Sequence, residues 1–224
     1  MAAIKLSKEN LKEIKKAVHE AESKTSGEIA TAFIKESDDY AVYELIFAVI
    51  CGFVYFTVLM FFRHPVESML KNMSWDYSID YLLLFFGFST FLVISLFYLL
   101  ANLPFIDRLI VPKKVMRIKV NRRAVRYFME SGVYKTKDRT GILIFISALE
   151  RRVELLADSG ISGRIAREKW TDIVDHITAG IKTGSLTGHL TQSIEECGSL
   201  LAEHFPIQPD DVNEIEDDIE ILEK

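Results

Sequence analysis

"GILIFISALERRVELLAD", residues 141–158, decides the fold of this chain. Its first seven residues are apolar at both alternating positions, the pattern of a strand buried on both faces. Beyond the step at residues 148–151, Val153 and Leu155 alternate with Arg152 and Glu154, the period-two pattern of a half-exposed strand. The pair predicts an antiparallel hairpin turning near Leu149. A central buried strand needs sheet neighbours on both sides, so the rest of the sequence must supply them.

Upstream, Leu6, Asn10, Ile14, Ala17, Val18 and Ala21 recur at helical spacing, with Ser7 as N-cap and Glu9 and Glu13 in the first turns. Gly27 breaks that helix. In "GEIATAFI", Ile29, Thr31 and Phe33 then alternate with Glu28, Ala30 and Ala32 as a strand of about seven residues. One helix and one strand cannot make a core by themselves. Nearer the hairpin, Val120, Ala124, Val125, Phe128 and Met129 mark a helical face ended by Gly132. After the hairpin, Ala166, Trp170, Ile173, Val174, Ile177 and Ile181 mark a helix, "KTGSLTG" breaks it, and Leu186, Leu190, Ile194, Cys197 and Leu201 mark another.

Between the first strand and the later helices stand two uncharged blocks. "LIFAVICGFVYFTVLMFF" runs from Leu45 to Phe62 and "YLLLFFGFSTFLVISLFYLLANLPFI" from Tyr81 to Ile106. A helix of about twenty apolar residues crosses a hydrocarbon core of about 30 Å, and neither block offers the polar face of a core helix. They predict a transmembrane hairpin with spans at about 44–62 and 81–103. The first forty residues are charged and amphipathic, which excludes a cleaved signal peptide there. After the second span come Arg108, Lys113, Lys114, Arg117, Lys119, Arg122, Arg123 and Arg126, whereas the loop between the spans has Arg63 and Lys71 against Glu67, Asp76 and Asp80. This asymmetry predicts an inner-membrane protein with both termini cytoplasmic and the short loop outside. Glu44, at the start of the first span, is placed to reach the headgroups, so the spans read as an anchor rather than a pore.

The order α-β, two spans, α-β-β-α-α predicts one α/β domain split by the hairpin. Residues 1–40 are its first part, 41–107 the hairpin, 108–206 its second part and 207–224 an acidic tail. Net charge −5 excludes a nucleic-acid binder's balance, and the basic stretch is explained by topology and by attraction to anionic headgroups. The tail "PIQPDDVNEIEDDIEILEK" carries Val212, Ile215, Ile219 and Leu222 at spacings that allow either a solvated tail or a short amphipathic segment docked on this domain or a partner.

"ENLKEIKKAVHEAESKTSGEIATAFI", "AVRYFMESGVYKTKDRTGILIFISALERRVELLADSGI" and "IKTGSLTGHLTQSIEECGSLLAEHFP" resemble successive blocks of the TPM domain family, over about residues 8–206. The resemblance implies an α/β/α sandwich with a small central sheet. It also implies one of three roles: weak acid phosphatase, calcium binding, or assembly of membrane complexes. The sequence departs from the family where the hairpin is inserted within the domain. It departs again where "ALERR" replaces the usual aspartate-rich turn between the two strands.

Hairpin geometry raises one candidate site. Positions equidistant from the turn face each other, so Asp138 and Asp158 belong to the same sheet end. With carbonyls of "DSGIS" they would begin a site for calcium or another divalent cation, which wants six to eight oxygens. They also suit turn caps or an ion pair of Asp158 with Lys137 or Arg139, and "GISG" before a helix could hold an anion. The histidines are scattered, Asp172 and His176 read as a helix-face pair, and Cys51 and Cys197 have no metal or disulfide spacing. Two functional classes follow. The first is a membrane-anchored interaction or assembly module with a protein partner at the cytoplasmic face. The second is a weak phosphatase or cation-dependent enzyme using the Asp138 and Asp158 end.

Overall fold

Ser7 stands in extended backbone before the first helix, and its side-chain oxygen accepts from the Asn10 N–H at 3.2 Å in the computed structural model, which describes residues 6–161 and 163–223. Along the chain follow α1 (Lys8–Glu22), β1 (Glu28–Ile34), α2 (Ala41–Phe61), α3 (Arg63–Met73), α4 (Ile79–Ala101), α5 (Pro104–Ile110) and α6 (Lys113–Glu130). Then come β2 (Gly141–Ser147), β3 (Arg152–Ala157), α7 (Arg167–Thr183), α8 (Leu186–His204) and β4 (Glu220–Leu222). The chain forms two units, Met1–Asp38 with Lys114–Lys224, and Asp39–Lys113.

In the first unit the described strands order as β3-β2-β1-β4. β1 pairs in parallel with β2, from Glu28 opposite Gly141 to Ile34 opposite Ser147. β3 returns antiparallel to β2, with Ile142 opposite Ala157 and Ser147 opposite Arg152. The hairpin therefore turns through residues 148–151, where Arg151 takes the left-handed conformation at φ 50°. β1 and β2 are buried at every position, as central strands are, while β3 is a half-exposed edge.

Alternation then sorts the side chains into two layers. Ile29, Phe33, Ile142, Ile144, Ile146 and Val153 pack with the apolar stripes of α1, α7 and α8. Ala30, Ala32, Ile34, Leu143 and Phe145 face the opposite way, against Val120, Ala124 and Tyr127 of α6. The result is an α/β/α sandwich, three helices on one face and one on the other. Small residues let α1 and α8 approach closely, since a Cβ on Gly198 would lie 2.6 Å from that of Ala21.

One expectation needs correction here, and one alternative is decided. Val125 and Met129, read as part of the buried face of α6, are 44% and 53% exposed. The inward stripe runs through Val120, Ala124 and Tyr127 instead, because the helical phase is set by the sheet it covers. The tail, for its part, is docked on the sheet. β4 pairs in parallel with β1, Ile219 enters one apolar layer, and Ile215 and Leu222 pack against the other.

The second unit is the hairpin. α2 and α4 have mean hydropathy 2.3 in their apolar windows, with only 17% and 11% of those windows buried, so each is long and apolar enough to cross a membrane and neither is a core helix. Phe47 meets Phe97, Gly52 meets Ile94 and Phe56 meets Phe86; partners advance along α2 as they retreat along α4, so the helices are antiparallel. A Cβ on Gly52 would lie 2.2 Å from Ile94 Cγ1, the small-residue contact typical of close-packed apolar helices. Glu44 is buried rather than directed outward. The connection between the spans contains α3, steadied by a Glu67–Lys71 ion pair at 2.8 Å. The helices begin two to three residues before the expected spans, and the units divide at 38/39 and 113/114.

β1 lies between β2 and β4, so the sandwich requires both chain segments. A variant in which residues 39–113 are replaced by a short flexible linker is expected to be soluble and to unfold in one cooperative transition. Residues 114–224 alone should lack that transition. Calorimetry on the two proteins checks this, and cooperative unfolding of residues 114–224 alone would show that β1 is dispensable.

Candidate functional site

Each end of the parallel strands carries a polar cluster. At the carboxyl ends, Ser37 follows β1, Ser147 closes β2 and Glu150 sits in the β2–β3 turn. All three are buried. Ser37 Oγ donates to Ser147 Oγ at 2.8 Å, Ser147 Oγ donates to a Glu150 carboxylate oxygen, and the Ser37 N–H donates to the other at 3.0 Å. The Ala148 and Leu149 N–H groups donate to the carbonyls of Ile34 and Lys35, at 3.0 and 2.9 Å. Asp38 next in the chain pairs with Lys119 of α6 at 2.7 Å. Ligands of open α/β sheets gather at this end. Here, however, Ser147 is wholly buried, so the carboxylate that polarises its hydroxyl locks the turn rather than presenting a nucleophile. Glu150 belongs to the "ALERR" turn, and its role was missed because a lone Glu in a turn gives no spacing signal.

At the amino ends lie Asp138 and Asp158. The hairpin brings their loops together through the backbone. The Gly160 N–H donates to the Arg139 carbonyl at 3.1 Å, and a Cβ on Gly160 would meet the Arg139 and Asp138 carbonyl oxygens at 2.6 and 2.7 Å. Arg139 takes a left-handed φ of 55° to make that turn. The carboxylates themselves have different surroundings. Asp158 is 8% exposed; one oxygen accepts from the Ser159 N–H at 2.5 Å and the Ser159 hydroxyl at 3.0 Å, while the other is buried without a hydrogen-bond partner among the described residues. Asp138 is exposed and lines a cavity of about 270 Å³ shared with Lys137, Asp210, Asp211 and Glu214. Among the described residues no group of three His, Cys, Asp or Glu side chains is placed to hold a metal ion. Ser162 of the "GISG" loop lies outside the described residues.

The sequence reading did not find how the tail closes this end. Buried Glu28, at the start of β1, accepts from the Glu214 and Ile215 N–H groups at 3.2 and 3.3 Å. The Gln208 N–H donates to Ser26 Oγ at 3.1 Å, and the Lys137 N–H donates to the Glu214 carboxylate at 3.1 Å. His19 meets Asp217 at 3.0 Å, and Lys15 meets Asp218 at 2.5 Å. Tyr127 OH donates to Glu220 of β4; burial, then that carboxylate, pushes the phenol upward. Burial also raises Glu28. Glu22 at the end of α1 accepts from the Ile29 N–H at 2.7 Å. Burial, with the carboxylates of Glu28 and Asp217 nearby, pushes Glu22 up to about 9, so it is a neutral acid at pH 7. Acid-rich sequence folds back on acid-rich sequence here because backbone N–H groups, His19, Lys15 and a neutral Glu22 offset the repulsion.

The histidines form a pair that spacing did not reveal. The His176 and His189 rings stack at 4.6 Å between α7 and α8, and His176 Nδ1 lies 3.1 Å from Ser193 Oγ. His176 therefore turns toward α8.

Residues 109–199 match the TPM domain. The NMR structure of the BA42 protein from the psychrophilic bacterium Bizionia argentinensis is similar to this chain with a TM-score of 0.56 and 19% identity, over 97% of this chain and 95% of that one. At that identity the likeness is one of fold. No curated protein matches the chain.

Glu22 has a pH signature. Its pKa is raised on folding, so it leaves stability untouched below its unfolded value near 4.5 and lowers it progressively as pH rises from there toward about 9. The slope is at most about 1.4 kcal/mol per pH unit. Glu22→Gln keeps the bond to Ile29 and is expected to raise Tm at pH 8 while leaving it nearly unchanged at pH 4. Equal effects at both pH values would show that Glu22 ionises normally.

Proposed function

We propose that this chain, matched to the TPM domain over residues 109–199, is a membrane-anchored interaction or assembly module. It works at the cytoplasmic face of the inner membrane, with both termini in the cytoplasm and a protein as partner. One observation carries the reading: β1 and β2 are hydrogen-bonded neighbours although the two apolar helices separate them in sequence. Segments that share a sheet share a compartment, and an inserted hairpin of two spans returns the chain to the side it left. The eight Lys and Arg from Arg108 to Arg126 select the cytoplasmic side by the positive-inside rule. The bilayer is then the hairpin's own partner, and the sandwich is tethered to it. Nucleic acid is not a partner in this reading, because the basic residues lie beside the membrane and the net charge is negative.

Labelling intact cells checks the topology. Asn72→Cys, in the connection between the spans, should react with a membrane-impermeant thiol reagent, and Lys182→Cys should react only after permeabilisation. The buried thiol of Cys197, pushed up to about 12, stays silent. The reverse pattern would refute the orientation.

A weak phosphatase or divalent-cation-binding enzyme is the second reading, favoured by the buried oxygen of Asp158 that has no hydrogen-bond partner among the described residues, at the sheet end shared with Asp138. A cation bound there would stabilise the fold by about 2.7 kcal/mol at a hundredfold excess over Kd, and Asp158→Asn or Asp138→Asn would abolish the gain. The interaction reading expects no change in unfolding between calcium and chelator and no turnover of an aryl phosphate. A calcium shift lost in both variants would favour the enzyme or ion-binding alternative.

A further inference from the structure

The outward face of α6 has a pattern that its inward packing does not explain. Ile118, Val125 and Met129 are 39%, 44% and 53% exposed and recur at i, i+7 and i+11, one stripe on the helix. At 100° per residue, Arg122 and Arg126 flank the stripe on one side, and Lys114, Asn121 and Arg117 on the other. Among the described residues Lys114, Arg117 and Arg122 make no ion pair, whereas Lys119 is held by Asp38, and Arg123 and Arg126 by Glu130. An apolar centre bordered on both sides by unneutralised cations fits the interfacial zone of an anionic bilayer, where the apolar stripe enters the acyl boundary and the cations meet phosphates.

Chain length keeps that face near a bilayer. Lys114 is thirteen residues beyond Ala101, the last residue of α4. The tether thus spans at most about 45 Å fully extended, and less with seven residues wound into α5.

We propose that the outward face of α6, centred on Ile118, Val125 and Met129, docks on the anionic lipid surface of the membrane in which the hairpin is anchored. The inference rests on the anchoring reading and adds to it an orientation. α6 covers one face of the sheet, so the face carrying α1, α7 and α8 points away from the lipid and is the one left for a protein partner. The occupant is a lipid surface rather than an acidic protein segment because the cations border the stripe along its length and the tether holds them near headgroups.

The test uses the full chain in nanodiscs, with Cys51→Ser and an environment-sensitive fluorophore on Val125→Cys. A second protein carries the fluorophore on Lys169→Cys of α7. In phosphatidylcholine with phosphatidylglycerol, the α6 probe should shift to the blue and the α7 probe should not. In phosphatidylcholine alone, or in high salt, the α6 shift should be lost. Each cation near the surface is worth roughly a fivefold change in docking. Lys114, Arg117 and Arg122 changed together to Ser should therefore lower the docked-to-undocked ratio roughly a hundredfold; all three are exposed and face away from the core. A chain that enters nanodiscs but shows the same α6 spectrum in both lipids overturns the docking while leaving the anchor intact. A shift equal in both lipids marks the stripe as covered by protein and also overturns it. Failure to enter nanodiscs overturns the anchor, and the docking with it.

Discussion

The parallel ladder between β1 and β2 is the constraint on which the rest of the first unit depends. Seven residue pairs, from Glu28 with Gly141 to Ile34 with Ser147, join segments more than a hundred residues apart. Parallel strands need a connection that returns to the same sheet end, and one layer of helix commonly provides it. Here α6 serves as that layer, and the hairpin is threaded into the connection before it. An insertion at this place is tolerated because closing a longer loop costs only a logarithmic increase in entropy. A self-associating pair of helices is also shorter, end to end, than a coil of the same length.

Once β1 is central, both of its faces and both of its edges have to be covered. α6 and the three other helices take the faces. β2 takes one edge, and the tail takes the other as β4. This explains why an acidic segment with few apolar residues is ordered: its backbone N–H groups are bound by Glu28, and its apolar residues Ile215, Ile219 and Leu222 enter the two layers already present. Part of the repulsion is removed by leaving Glu22 protonated. The tail thereby caps an edge that would otherwise be open to pairing with another chain.

The two ends of the sheet differ in kind. At the carboxyl ends, Ser37, Ser147 and Glu150 form a buried strut, in which Ser37 after β1 is bonded to Ser147 and Glu150 of the β2–β3 hairpin. At the amino ends Asp138 is exposed and lines a cavity, and one oxygen of Asp158 is buried without a hydrogen-bond partner among the described residues. A strut is suited to rigidity. The acidic end is where the proposed cation or phosphate chemistry would have to operate.

The sequence by itself determined the elements. Period-two and period-3.6 apolar patterns placed the strands and helices of the sandwich, an all-apolar run marked β2 as central, and the two uncharged blocks marked the hairpin, because each signal is local and repeats within a single element. It also placed Asp138 and Asp158 at one sheet end, since hairpin pairing follows from a turn. Tertiary structure decided what side chains do there. The loops join at Gly160 while the carboxylates go separate ways, and that depends on the left-handed turn at Arg139 and on a tail more than fifty residues downstream. The phase of α6, which turns Val125 and Met129 outward, the stacking of His176 on His189, and the strut at Glu150 share that origin. Each is a contact between residues distant in sequence, set by packing against a sheet whose edges no local pattern can specify.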